Sequence, residues 1–301
     1  MSATSLPLRF QVGARTLFAI RRRLVRVPLS LDDAEAGHAP VLPPIERGDD
    51  GYAITSLPTA RLDAITRGGM LAFVRQRYTR HFIDLTGDHD GYLAALSANT
   101  RSGIRRKTGR LAEASGGMLD VRRFRTPTEL EAFHAAARML SRKTYQERLL
   151  DNGLPDGERF VAQMLAMAAA GAVRGWLLYL GDAPIAYLYC SVAGGTVRYD
   201  HVGHDPAFAD LSPGSVLQME AIRDLFAEGM HRRFDFTEGE GQHKRQFATG
   251  GIACTDLLLL RPTLANRATL AALAAFEGGL ARGKHAVNRL GLEPMARRLR
   301  R

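Results

Sequence analysis

Alternation of apolar and polar positions is patchy over the first third of the chain and regular after it. Residues 16–27 are apolar but broken by Arg21, Arg22 and Arg23, which predicts one or two short strands. Residues 31–50 are polar and proline-containing, so a loop or mobile insertion is expected there. Residues 51–57, 70–77 and 80–85 read as strands, with a short helix over 58–67. Asp88 or Asp90 then opens a long helix in which Tyr92, Leu93, Leu96, Thr100, Ile104 and Leu111 recur at helical spacing. Ser115-Gly116-Gly117 ends it.

The second half is more sharply punctuated. Residues 118–124 alternate as a strand, followed by helices over 127–139, opened by Thr126 or Thr128, and over 157–170. Strands 173–180, 185–192 and 196–203 are joined by tight turns at Gly181-Asp182 and Gly194-Gly195. Leu211-Ser212-Pro213-Gly214-Ser215 then leads into a helix whose Val216, Met219, Ile222 and Phe226 form one stripe. Ser212 suits the cap, Pro213 the first helical position, and Gly229 the left-handed stop. Such a helix mouth presents free N–H groups and a positive dipole end, which suits a phosphate or pyrophosphate. In strand 232–236, Asp235 points away from Phe234 and Phe236. The following loop carries Glu238, Glu240, His243 and Lys244; the two glutamates read as solubilising groups. A helical turn over 243–247 and a strand over 253–260 complete this part. From Pro262 the chain is helical, with Leu264, Leu270, Leu273, Ala274, Phe276 and Leu280 on one patch and, after Gly283, Val287, Leu290, Met295 and Leu299 on another. Three parts are expected: 1–95, 96–262 and 263–301.

Composition narrows the class of partner. Across 301 residues the net charge is +10, which argues for an anionic ligand, RNA or an acidic membrane face. DNA is not expected. Arg101, Arg105, Arg106, Lys107 and Arg110 crowd one helix, either as a solvated face or as a cationic wall for an anionic acceptor. Cys190 and Cys254 lie in apolar strand-like runs and read as buried thiols, with no metal-ligand spacing around them. Residues 1–12 show no secretory pattern, and apolar runs such as 164–173 are too short to cross a bilayer. A cytoplasmic protein is expected, with peripheral contact to the inner membrane face through the basic C-terminal tail as an option.

The order strand, two helices, three antiparallel strands, helix, strand, helical turn, strand resembles the catalytic core of the GNAT N-acyltransferase superfamily. It resembles in particular the branch associated with cellulose and exopolysaccharide biosynthesis (the CelD/BcsL type). The residues carrying this are Ile83-Asp84-Leu85, Thr100-Arg101, Ile104-Arg105-Arg106, Gly203-His204-Asp205, Ser212-Pro213-Gly214, and Phe234-Asp235-Phe236 with Gly239 and Lys244, spanning about residues 80–261. The resemblance extends to FemAB-type peptidoglycan aminoacyltransferases, which duplicate the GNAT-like unit, so residues 1–95 would be a reduced first copy. The implied fold is α/β (α+β): a mixed, mostly antiparallel sheet flanked by helices, with a helical C-terminal tail.

The resemblance implies acyl-CoA as cofactor, acetyl-CoA foremost, with its pyrophosphate at Ser212, Gly214, Ser215 and Val216. Only Gly214 stands where the family commonly has a Gln/Arg-x-x-Gly-x-Gly/Ala signature. Transfer to an amine or hydroxyl of a small-molecule or sugar-linked acceptor needs a base and an acid. Asp235, His243, Lys244 and Asp200 are the candidates, with His204 a further one. Arg101, Arg105, Arg106 and His201 are candidates for acceptor or anion contact. The branch often has Tyr-Lys where this chain has His243-Lys244. Two alternatives stay open: a FemAB-like transferase using aminoacyl-tRNA, and a catalytically inactive GNAT-like scaffold.

Overall fold

The computed structural model describes residues 2–13, 15–66, 68–144 and 153–289. In chain order the strands are β1 (Thr4–Val12), β2 (Arg15–Pro28), β3 (Gly51–Pro58), β4 (Leu71–Asp84), β5 (Asp120–Phe124), β6 (Val173–Leu180), β7 (Ala183–Ala193), β8 (Thr196–His204), β9 (Arg233–Asp235) and β10 (Gly250–Leu260). The α-helices are α1 (Leu31–Ala36), α2 (Leu62–Thr66), α3 (His89–Ala95), α4 (Ala98–Ala114), α5 (Pro127–Ser141), α6 (Glu158–Ala169), α7 (Pro213–Glu228), α8 (Gln242–Phe247) and α9 (Leu264–Arg289). The class is the expected mixed α/β, with ten mostly antiparallel strands flanked by helices.

Contacts divide the chain into Met1–Tyr78 with Ala253–Arg301, and Thr79–Ile252. This contact division falls at 78/79 and 252/253, away from the expected boundaries at 95/96 and 262/263. The reason is β10, whose Cys254–Leu260 stretch pairs antiparallel with β3 and so returns to the N-terminal unit. That unit has the strand order β1-β2-β3-β10, with β2 and β3 parallel. Leu24, Ile54, Leu57 and Leu260 are buried in it, and Leu273 of α9 packs with Leu8 and Phe10 of β1.

Several N-terminal expectations change. β1 carries no strand expectation, yet it pairs with β2 along its length, with Leu17 as the extra residue between Phe10↔Phe18 and Gln11↔Thr16. The three consecutive arginines do not break β2, because Arg22 donates across to the Ala265 carbonyl and Thr269 hydroxyl of α9. The 31–50 segment begins with helix α1 rather than loop, closed by a reciprocal cap between Ser30 and Asp33. The two strands expected over 70–85 are one, β4.

In the second unit the order is β4-β9-β8-β7-β6-β5. Neighbours on β6 alternate between faces: Trp176 and Leu178 join the cluster of α7, while Leu177 joins that of α5 and α6. α7 packs on β6, β7 and β8, and it is buried nearly all round, Leu217, Gln218, Ala221 and Leu225 included, rather than along one stripe. Gly229 ends it at φ 64°, as expected. The single helix expected from residue 88 is two. Asp88 caps α3 and Ser97 caps α4, while the Arg101 guanidinium donates to the carbonyls of Leu93, Ala94 and Leu96 at the α3 end. In the C-terminal segment α9 runs unbroken past Gly283; Leu290, Met295 and Leu299 lie outside the described residues.

The C-terminal end of α7 is held by charge. Arg125 pairs with Asp224 and Glu228, Arg174 with Glu228 at 2.8 Å, and Trp176 Nε1 donates to Asp224 at 2.9 Å. Burial pushes the Glu228 carboxyl up. Hydrogen bonds from His231 and Arg174 and the Arg125 charge outweigh that and bring it to about 2. A carboxyl depressed by folding stabilises fully above its unfolded value of 4.5 and loses that contribution as pH falls toward 2. The contribution is on the order of 3 kcal/mol. Urea unfolding at about pH 6 and about pH 3 should show Glu228→Gln losing far less stability between them than the parent; parallel losses would remove Glu228 from the acid response.

Candidate active site

β8 and β9 run parallel, and their pairing is brief: Thr196↔Arg233, Val197↔Phe234 and Arg198↔Asp235. β9 then stops, while β8 continues over residues 199–204 with β7 as its only strand partner among the described residues. Asp200 is the extra residue of a bulge between Cys190↔Tyr199 and Tyr189↔His201. The two strands thus part where β8 carries an unpaired edge of backbone donors and acceptors.

That edge leads to the mouth of α7. Asp205 accepts from the Ala207 N–H, is held by Lys143 at 2.8 Å, and opens a 3-10 turn over Pro206–Leu211. Ser212 does not cap α7 with its side chain, contrary to expectation. It ends the 3-10 turn in the left-handed region (φ 54°, ψ 46°), whereas a side-chain cap needs extended geometry. The expected set of free N–H groups is also smaller. Ser212 N–H donates to Ala209, and the N–H groups of Ser215 and Val216 both donate to the Ser212 carbonyl. Gly214 N–H has no partner among the described residues. His204 lies beside it: a Cβ at 214 would meet His204 Nδ1 at 3.6 Å, an ordinary contact. α4 packs against this 3-10 turn and α7, and its Arg105 and Arg106 are exposed. Arg101 differs from its expected role as anion contact, because its guanidinium caps α3.

Asp235 and Lys244 come close to each other, but both are engaged internally. The Asp235 carboxylate is 1% exposed and receives Arg80 Nε at 3.1 Å, Arg80 Nη2 at 2.6 Å and Thr237 N–H at 2.9 Å. Lys244 Nζ donates to the carbonyls of Thr237, Glu238 and Gly239, the shortest at 2.6 Å. Burial lowers its pKa, opposed by Glu238 and Asp235. Lys244 therefore holds the 237–239 loop. Glu240 is more than a solubilising group, since it accepts from Thr79 N–H and pairs with Arg245.

His243 stays exposed on α8, with its ring centroid 6.2 Å from Tyr199 and 6.4 Å from Phe236. Burial of its surroundings, followed by the Lys244 charge, lowers its pKa, so the neutral ring dominates at neutral pH. Tyr199 is pushed well up by burial and keeps its proton. Asp200 accepts from Ser191 N–H at 2.7 Å and pairs with Arg198 at 3.2 Å. His201, one residue on, is elsewhere: it packs on Phe160 and Tyr189 in the cluster of α5 and α6. No local pattern marks Arg80, whereas Tyr199 of β8 stands opposite the aromatic pair Phe234 and Phe236, which its ring meets. Among the described residues no group of three or more His, Cys, Asp or Glu could hold a metal ion, and no helix is long and apolar enough to cross a membrane. Cys190 and Cys254 are buried thiols that form no disulfide.

Residues 98–245 match the family model of the acetyltransferase (GNAT) domain. Among solved structures, the chain is similar to the C-terminal domain of a protein assigned as a lysylphosphatidylglycerol synthetase from Agrobacterium fabrum. The TM-score is 0.51 at 13% identity, over 75% of this chain and 72% of that one. It is also similar to FemX, at a TM-score of 0.50 and 11% identity, over 86% of this chain and 89% of that one. At these identities the likeness is one of fold. No curated protein matches the chain. Residues 98–245 thus carry a GNAT-like domain.

Proposed function

We propose, taking the GNAT-like domain as premise, that this protein is an acyltransferase moving an acyl group from acyl-CoA to an amine or hydroxyl acceptor. The observation that carries this reading is the parting of β8 from β9 above the α7 mouth. An extended amide-containing arm fits the free edge of residues 199–204, and a pyrophosphate fits the unpartnered Gly214 N–H at the positive end of α7. Exposed Arg105 and Arg106 add positive charge on α4, which packs against that mouth. When bound, acyl-CoA supplies the activated thioester. Neutral His243 takes the proton from the attacking amine or hydroxyl, and Tyr199 is the protonated group available to a leaving thiolate. Asp235, Arg80 and Lys244 hold the floor and the loop. A sugar-linked acceptor in exopolysaccharide or envelope biosynthesis is the reading favoured by the CelD/BcsL resemblance.

Thermal-shift titration with acetyl-CoA tests the donor. Gly214→Glu should abolish the CoA-dependent shift while the unliganded melting temperature stays close to that of the parent, since a Cβ is tolerated at 214. An unchanged shift in that variant would move the pyrophosphate elsewhere. The second reading, aminoacyl-tRNA as donor, is favoured by the exposed α4 arginines and by the FemX likeness, which extends beyond residues 98–245. It predicts salt-steep tRNA binding with no CoA shift.

A further inference from the structure

We propose that the tip of the β1–β2 hairpin docks onto an anionic lipid surface. Residues 1–31 contain six arginines and no lysine, aspartate or glutamate, a local charge far from the mixed pattern of the rest of the chain. At the end of the hairpin Val12, Leu17 and Phe18 are 47%, 52% and 51% exposed, three exposed large apolar side chains gathered at one place. The bulge is what turns Leu17 outward, because it is the residue without a cross-strand partner. Arg9, Arg15 and Arg21 are exposed on the same two strands and have no acidic partner among the described residues.

Exposed apolar residues at a hairpin tip, with arginines along both of its strands, match the interfacial layer of a bilayer, where apolar groups enter roughly 5–10 Å and cations remain with the phosphates. At about 3.3 Å per residue, Phe18 lies about 10 Å along β2 from Arg15, which fits that depth. Arg15 at the tip would snorkel back to the headgroups. Two other occupants fit less well. Pairing with a second copy along β1 meets Pro7, which lacks an N–H, and brings Arg9 against its own kind. RNA would need a free aromatic face, but the Phe18 ring is stacked on Phe10 at 4.0 Å and meets Phe276 edge-on.

The test is flotation of the full chain with vesicles of phosphatidylcholine alone or mixed with phosphatidylglycerol. Binding is expected only to the mixed vesicles, weakening with salt by roughly fivefold for each arginine screened. Val12→Glu with Leu17→Glu should weaken it at least tenfold, and Arg9→Glu with Arg21→Glu comparably, with melting temperatures unchanged. Leu17→Trp should shift its emission to the blue on the mixed vesicles, which reads insertion even if the double variants fold poorly. Equal binding to neutral vesicles would overturn the proposal. So would binding untouched by the hairpin variants or lost only when Arg297, Arg298, Arg300 and Arg301 become glutamine. Displacement from the vesicles by polyuridylate would overturn it as well, in favour of RNA.

Discussion

Replacing Asp235 with asparagine is expected to lower the free energy of unfolding by about 3–5 kcal/mol, the scale for leaving a buried charge without its partner. Arg80 and Asp235 have side chains only 2% exposed each, and two parallel hydrogen bonds join them. An amide at 235 removes the negative charge and turns an N–H donor toward the guanidinium. Arg80→Met with Asp235→Leu should recover much of the loss, because it takes both charges out of the core. Urea unfolding at neutral pH decides this. A loss under about 1 kcal/mol for the single variant would mean the pair is solvated. The same result separates scaffold from chemistry: a drop in turnover of Asp235→Asn must be read at a temperature where the variant is folded.

Loss of His243 is expected to act the other way, on rate and not on stability. His243→Ala should lower turnover by about a hundredfold or more, the usual scale for removing a general base, while the thermal shift with CoA persists. The pH profile carries the sharper signature. A base works only when unprotonated, so the rate falls as pH drops through the folded pKa of His243. Burial and Lys244 lower that pKa, so the acid limb of kcat/KM should inflect below 6.5 and disappear in the alanine variant. Near-normal turnover in His243→Ala would transfer the role to Asp200.

Where side chains alternate and glycines punctuate, the sequence was sufficient. The β6–β7–β8 meander, its two turns and the Gly229 stop all follow from local pattern, because each depends on neighbours within a few residues. Long-range pairing is where legibility ended. Arg80 meets Asp235 across 155 positions, and no local rule distinguishes it from any solvated strand arginine. Lys244 reads as a catalytic candidate because its charge is visible and the three carbonyls it serves are not. Ser212 departs from the capping pattern for a different reason. The capping rule assumes an extended residue ahead of the helix, and here a 3-10 turn runs straight into α7 and forces the left-handed conformation. The break between α3 and α4 was hidden likewise, since the apolar spacing carries through Leu96 while Ser97 and Arg101 do the ending and restarting.

The return of β10 to β3 has a consequence for how the chain acquires its structure during synthesis. Residues 79–252 are contiguous and can fold as soon as they emerge. Residues 51–58 pair with 254–260, so β3 waits for about 200 further residues to be made, roughly 10–40 s at about 5–20 residues per second. During that interval Ile54 and Leu57 lack Leu257 and Leu259, which share their cluster, and β3 has an open edge. The later unit of the chain is therefore finished first, and the earliest strands are the segment most dependent on chaperone cover at the ribosome.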